Sequence, residues 1–335
     1  METSRAGRSG PGRAVLLGAT GFVGRGIAAG LLDAGWRVTA VARGPAGPDP
    51  RCATVRLDAA QAPAEAIAAV TAGADLVVNA AGALWGVTDA ELDRGNVMLV
   101  ERLVAALAAG PGPGPVRLVH LGSVFEYGEQ PPGPPLTEDL AEHPVSRYAQ
   151  TKLAGTRAVT GAATAGRIDA VVLRVSTAIG PWAPAQSLLG GLARQLARDG
   201  AAVEVPPLSG HRDFVDVRDV SDAVLCAAAA PAVPPVVNVG GGRAVAVADI
   251  VGLLIARAGG GGRVTQRAGA AARRDAGVSA RPMDIGLAHR ALGWAPARSP
   301  AEAIDALWRH TRPDGTSGGT AAIPSFAANG DTADG

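Results

Sequence analysis

Residues 13–35, "RAVLLGATGFVGRGIAAGLLDAG", decide how the rest of the chain is read. "RAVLLG" (13–18) is a short apolar run ending in glycine and reads as a buried strand. "FVGRGIAAGLLDAG" (22–35) carries a helical apolar pattern closed by glycine. Between them stand Gly18, Gly21 and Gly24, at the first strand-to-helix turn. Glycines allow a tight turn and close backbone approach, while a helix N-terminus offers free N–H groups and partial positive charge to a pyrophosphate. Gly18, Gly21 and Gly24, with Phe22 and Val23 among them, are the first candidate cofactor-binding positions.

The same rhythm continues downstream. "WRVTAVA" (36–42), "ATVRLD" (53–58), "ADLVVNA" (74–80), "VRLVHLG" (116–122) and "DAVVLRVS" (169–176) read as further strands. Helical patterns lie between them at about 63–72 and 89–109, and again from "SRYAQTK" onward. Alternating apolar strands and helices imply a parallel sheet covered on both faces. From about residue 180 the chain turns Pro/Gly- and Arg-rich, as in "VEVPPLSGHRDF" and "GGGGRVTQRAGAAARRD". It is read as a smaller lobe at the carboxyl end of the sheet. The expected division is a flexible arm at 1–12, a dinucleotide domain at 13–180, a substrate lobe at 181–311 and a disordered tail at 312–335. Within the lobe, 215–239 is expected to return to the core sheet.

Composition narrows the class. Of 335 residues, 47% are hydrophobic and 18% charged, enough for a substantial core. Net charge is +1 and no basic run is interleaved with aromatics, so a nucleic-acid footprint is not indicated. Cys52 and Cys226 stand alone, which argues against a disulfide scaffold or a metal site and makes a reducing cytoplasm the default. No apolar run is long enough to span a membrane.

The glycine spacing GxxGxxG, in this setting, resembles the short-chain dehydrogenase/reductase superfamily. The length and later motifs resemble its extended branch, the NAD-dependent epimerase/dehydratase family of sugar-nucleotide enzymes. The resemblance spans about residues 13–310 and implies an α/β fold, a Rossmann-type doubly wound parallel sheet with a smaller C-terminal substrate-binding lobe. An acidic residue after the second strand would bind a ribose 2′-OH. "VTAVARG" (38–44) instead offers Ala42 and then Arg43, and a guanidinium suits a 2′-phosphate. NADP(H) is therefore the expected cofactor, with NAD(H) the alternative. By resemblance, Asp58 meets the adenine, and Ala80 and Ala81 of "NAAG" line the cofactor.

"SRYAQTK" (146–152) holds the only lysine, Lys152, and one of two tyrosines, Tyr148. Residues four apart share a helix face, so phenol and ammonium project together. A free phenol has a pKa of about 10, and a nearby ammonium is expected to lower it. The pair suits a general acid for the oxyanion made by hydride addition, or a base for the reverse. It matches the superfamily's Tyr-x-x-x-Lys. "HLGSVFEYG" (120–128) then places Ser123 as the catalytic hydroxyl, and Asn96 resembles a structural or water-bridging asparagine of the family.

"GHRDFVDVRDV" (210–220) resembles the family's Arg-Asp-Phe-x-x-Val signature, which puts Arg212 on a substrate diphosphate. "RRDAGVSARPMDIGLAHRALGWAP" (273–296) similarly makes Arg274 a second contact. Thr177, in "LRVSTAIGP", replaces the family's substrate-binding asparagine. Val124 and Phe125 stand where 4,6-dehydratases carry Asp-Glu, so dehydration is disfavoured. With Glu126 they are expected to shape the sugar pocket. NADPH-dependent reduction of a nucleotide-linked 4-keto-6-deoxysugar is the first reading. An NAD-dependent 4-epimerase is the alternative, and a silent cofactor-binding regulator is opposed by the intact Ser123, Tyr148 and Lys152. By resemblance, the 89–109 helix and the Tyr148 helix form a homodimer interface.

Overall fold

A computed structural model describes residues 11–44, 47–84, 86–109, 116–199, 202–205, 207–259, 263–266 and 280–312. Most of the expected arm and tail, and Arg274, lie outside them. Strands β1 (Arg13–Leu17), β2 (Arg37–Ala42), β3 (Ala53–Arg56), β4 (Leu76–Asn79), β5 (Arg117–Ser123) and β6 (Asp169–Val175) belong to one sheet. β7 (Thr177–Ile179), β8 (Ala202–Val205) and β9 (His211–Asp216) lie outside it, and β10 (Val236–Val239) returns to it. β11 (Ala244–Ala246) and β12 (Arg263–Gln266) complete the strands among the described residues. The seven-stranded sheet runs β10-β6-β5-β4-β1-β2-β3, every neighbour parallel. The order reverses direction at β1, so the crevice between β1 and β4 is the topological switch point, where open α/β sheets bind ligands.

The helices are α1 (Phe22–Asp33), α2 (Ala64–Thr71), α3 (Asp89–Asp93), α4 (Leu99–Ala108), α5 (Arg147–Thr164), α6 (Leu188–Asp199), α7 (Val217–Ala229), α8 (Val247–Arg257), α9 (Gly286–Leu292) and α10 (Pro300–Thr311). Side-chain alternation sorts the strands into two cores. Ala14 and Leu16 of β1 point to a layer holding Ile27 and Leu31 of α1, Val220 and Val224 of α7, and Trp294. Val15 and Leu17 point to the opposite layer, with Ile67 of α2, Leu103 of α4 and Val159 of α5. Both faces are thus covered, which accounts for strands that are apolar throughout rather than alternating. The small-residue composition has a direct consequence: a Cβ on Gly30 of α1 would lie 2.2 Å from Ser221 Oγ of α7, so the two helices pack at a distance only glycine permits.

A third core lies in the lobe, where Leu192 and Leu196 of α6, Val251 and Leu254 of α8, and Ile304 and Leu307 of α10 meet. Its sheets are β11-β9-β7 and β12-β8. One residue, Ser176, separates β6 from β7, so the lobe's first strand continues the carboxyl end of the sheet. The buried carboxylate of Asp213 on β9 accepts backbone N–H groups from Gly241, Gly242 and Met283 at 2.6, 3.1 and 3.0 Å. It staples the lobe to the segments leaving β10 and entering α9.

The expected 89–109 helix is interrupted. Between α3 and α4, Arg94–Met98 form one turn of wider π-helix. Its buried Asn96 explains the interruption: its amide nitrogen donates to the Ala83 carbonyl and to Thr151 Oγ1, both at 3.1 Å, and its oxygen accepts Ala83 N at 2.9 Å. Three bonds to two other segments outweigh one regular helical register.

Candidate active site

The cofactor end is built from backbone. Gly18 has φ +74°, and a Cβ there would sit 2.5 Å from Ala81 N at the end of β4. Gly24 fits against Gly18, where a Cβ would come within 2.1 Å of the carbonyl oxygen. Only glycine lets the turn after β1 close against both α1 and β4. Gly21 caps α1 in extended conformation without a side-chain bond, and the first turn of α1 carries no acidic residue. The helix therefore presents uncapped N–H groups and an uncompensated positive dipole end, the donor set a pyrophosphate requires. Phe22 and Val23 open the helix; Phe22 packs against the lobe's core and Val23 against the sheet's. Ala80 is held by its N–H on Leu17 O at 3.0 Å, and Ala81 by its N–H on Asn79 Oδ1 at 3.1 Å. These small residues line the switch-point crevice beside Gly18.

Further along the sheet edge, Arg43 is exposed just past β2. Sequence reasoning missed its neighbour: the exposed Arg56, at the end of β3, donates from Nε to the Arg43 carbonyl at 3.2 Å. The parallel register of β2 and β3 brings the two guanidinium-bearing residues to one rim, a pairing separated by thirteen positions in the chain. Asp58 is partly committed to its own loop, accepting from Ala60 N at 3.2 Å and Gln61 Nε2 at 2.7 Å.

The structure brings Ser123, Tyr148 and Lys152 together at the carboxyl end of β5. Ser146 caps α5, accepting Ala149 N at 3.2 Å, which sets Tyr148 in the first turn. Arg147 anchors that turn on Asp93 of α3 through bonds of 2.6 Å to both carboxylate oxygens. Lys152, one turn on, is buried and donates to the Leu121 carbonyl of β5 at 2.6 Å. The Ser123 side chain lies close enough to the half-buried Tyr148 phenol to lower its pKa, and its hydroxyl accepts Phe125 N at 3.3 Å. Phe125 braces the phenol edge-on, ring centroids 5.7 Å apart at 83°. Phe125 is thus a contact of Tyr148 itself, and Val124 is buried with Tyr127, Leu136 and Met283 beneath it.

The electrostatics differ from the sequence expectation. Burial pushes the Tyr148 phenol up to about 12; Ser123 opposes this and the negative charge of Glu126 adds to it. Lys152, expected to depress the phenol, has its ammonium turned to the Leu121 carbonyl, and burial lowers its own pKa. Desolvation is the leading cause for both groups. The phenol is held in its protonated form near neutrality.

Glu126 is a second correction. Expected at the sugar pocket, it is fully buried on the other side of the turn, with its carboxylate on Ser123 N at 2.7 Å, Thr156 Oγ1 at 3.0 Å and Arg174 Nε at 3.0 Å. A three-residue spacing from Ser123 makes the two a capping box around the short helical turn 124–127. Arg174 was passed over as part of an apolar strand. A lone arginine inside a buried strand pattern is itself a sign of a buried carboxylate partner.

On the lobe side, Thr177 opens β7, paired with Phe214 of β9, and is half-buried at the mouth. Arg212 lies on β9, half-exposed, with Nη1 on the neighbouring His211 carbonyl at 2.8 Å.

A profile of the NAD dependent epimerase/dehydratase family matches residues 14–240. The chain belongs to this family. It is accordingly an NAD(P)-dependent oxidoreductase/epimerase of the extended short-chain dehydrogenase/reductase type. A dTDP-6-deoxy-L-talose 4-dehydrogenase (NAD(P)(+)) from Kitasatospora kifunensis is 42% identical over 308 residues, covering 89% of this chain and 95% of that protein. Among solved structures, MoeE5 in complex with UDP-glucuronic acid and NAD superposes with a TM-score of 0.76 at 26% identity, covering 90% of this chain and 99% of that one. The UDP-glucose 4-epimerase of Thermotoga maritima shares the fold at a TM-score of 0.78 and 20% identity, over 90% of this chain and 99% of its own. Family members therefore share the whole architecture, and the expected Rossmann-type sheet is the one observed.

Proposed function

We propose that the chain is an NADPH-preferring 4-ketoreductase of nucleotide-linked 4-keto-6-deoxysugars. The observation that carries this reading is the convergence of Ser123 with the half-buried Tyr148 and Lys152, one helical turn apart on α5, at the carboxyl end of β5. The 42% identical relative supports it, because its name describes oxidation at C4 of a dTDP-linked 6-deoxysugar, the reverse of the same reaction. The exposed pair Arg43 and Arg56, with no carboxylate after β2, favours the 2′-phosphate of NADP(H). Gly18, Gly21, Phe22, Val23, Gly24, Ala80 and Ala81 would hold the cofactor, with Asp58 toward its adenine and Lys152 on its ribose. That cofactor supplies the hydride.

Tyr148 then gives its proton to the oxygen that the carbonyl becomes, and Ser123 hydrogen-bonds that oxygen. A phenol near 12 is a fully loaded acid at neutral pH. Phe125 and Thr177 would border the sugar, with Val124 backing Phe125 from beneath, and Arg212 and Arg274 would meet the diphosphate. The enzyme is read as a cytoplasmic homodimer joined through α4 and α5. Among the described residues no helix is long and apolar enough to cross a membrane.

The test is incubation with NADPH and a panel of nucleotide 4-keto-6-deoxysugars, against NAD with the parent sugar nucleotides. Stoichiometric NADPH oxidation with formation of the alcohol is expected. Product formed with no net cofactor change would replace reduction by epimerisation.

A further inference from the structure

Beneath the 124–127 turn lies a largely buried ionic cluster that the proposed chemistry does not itself use. We propose that Glu126 is a positioning residue that locks Ser123 and the Tyr148-bearing face of α5 into one rigid unit. This inference rests on the reading of Ser123, Tyr148 and Lys152 as the proton-transfer group.

Three elements meet at one carboxylate. Glu126 Oε1 accepts Ser123 N at 2.7 Å, at the end of β5. The same oxygen accepts Thr156 Oγ1 at 3.0 Å, and Thr156 lies one turn beyond Lys152 and two beyond Tyr148 on α5. Oε2 takes Arg174 Nε of β6 at 3.0 Å. Space for this is made at Gly122, where a Cβ would lie 2.9 Å from Glu126 Oε1 and 3.3 Å from Thr156 Oγ1. Arg174 is held in turn by Glu142 Oε1 at 2.9 Å and lies 4.4 Å above the Tyr127 ring. Removing the charge at 126 would leave Arg174 with Glu142 as its remaining carboxylate partner; glutamine keeps an acceptor oxygen for Ser123 N and Thr156, whereas leucine or alanine would fill space but tie nothing.

The cluster is also an electrostatic floor. The charged and titratable groups around Glu126 are Arg174 from β6, Glu142 from the loop before α5, Tyr127 from its own turn, and Tyr148 and Lys152 from α5. Its negative charge favours both the protonated phenol and the charged ammonium. The carboxylate therefore acts on those two groups through its charge as well as through its hydrogen bonds.

The chain makes this measurable without turnover, because Tyr127 and Tyr148 are its only tyrosines. Protein labelled at tyrosine Cζ gives two carbon resonances, which Tyr148→Phe assigns. In Glu126→Gln, the Tyr148 resonance is expected to begin moving toward phenolate at a pH lower by about half a unit or more. With substrate, kcat is expected to fall about 10- to 100-fold while KM for the cofactor stays within about twofold. Thr156→Val, which keeps shape and removes only the α5 tie, covers the case of an unfolded Glu126→Gln; it should lower kcat several-fold with unchanged cofactor KM. An unmoved resonance with unchanged kcat in a folded Glu126→Gln overturns the inference, as does full activity in Thr156→Val where Glu126→Gln does not fold. Failure of the underlying reading looks different: Tyr148→Phe would itself retain activity.

Discussion

Two ends of one sheet handle charge in opposite ways. At the β5–β6 end, Glu126 and Arg174 are paired in full burial under the catalytic turn, and the Tyr148 phenol is pushed up to about 12. At the β2–β3 end, Arg43 and Arg56 stand exposed on a rim. Buried charges act at low dielectric and change protonation, so they belong with chemistry. Exposed charges are screened and mobile, and contribute recognition with little cost to folding. On the proposed reading, reactivity lies at the drier end and cofactor recognition at the wetter one.

The largest predicted effect would break the contrast at its chemical end. Tyr148→Phe should lower turnover by about 10²- to 10⁴-fold while NADPH binding, followed by its fluorescence, is retained. Loss of binding in parallel would assign the phenol to cofactor affinity instead. Next is the pH profile in each direction. Reduction needs the protonated phenol and should stay flat from about pH 7 to 10; oxidation needs the phenolate and should rise about tenfold per unit over that range. The sign follows from a phenol pKa raised to about 12, which lies above the whole window. Coincident profiles would move the titrating group elsewhere.

The rim should respond more gently. Replacing Arg43 and Arg56 together by Ala should raise KM for NADPH about tenfold and leave KM for NADH nearly unchanged, the loss of one charge-assisted contact. An equal effect on both cofactors would remove the 2′-phosphate role. Smallest of all, raising salt from low to physiological levels should weaken NADPH affinity a few-fold with kcat constant, because only the exposed end is screened. A salt-sensitive kcat would mean that the catalytic cluster is wetter than its burial implies.

Much of the site was legible in the chain because its requirements are local. Tyr148 and Lys152 share a face by helical spacing alone, and Gly18 and Gly24 sit at a turn whose geometry demands glycine. Glu126 was misplaced because the short turn after β5 rotates it inward, under the site. Nothing in "SVFEYG" states that rotation; it depends on Gly122, Thr156 and Arg174 arriving from three places. The π-turn at 94–98 was hidden for the same reason, since Asn96 serves Ala83 and Thr151 rather than its own helix. Arg56 joined Arg43 only through strand register.

The sequence by itself determined the alternation of strand and helix, the glycine turn at the first crossing, and the helical pairing of phenol with ammonium. These follow from periodicity and backbone sterics within a few residues. Tertiary structure alone decided the further rise of that phenol's pKa, the burial of Glu126 against Arg174, and the meeting of two arginines at the sheet's edge. Desolvation and long-range pairing are properties of a packed interior, and no short stretch of chain carries them.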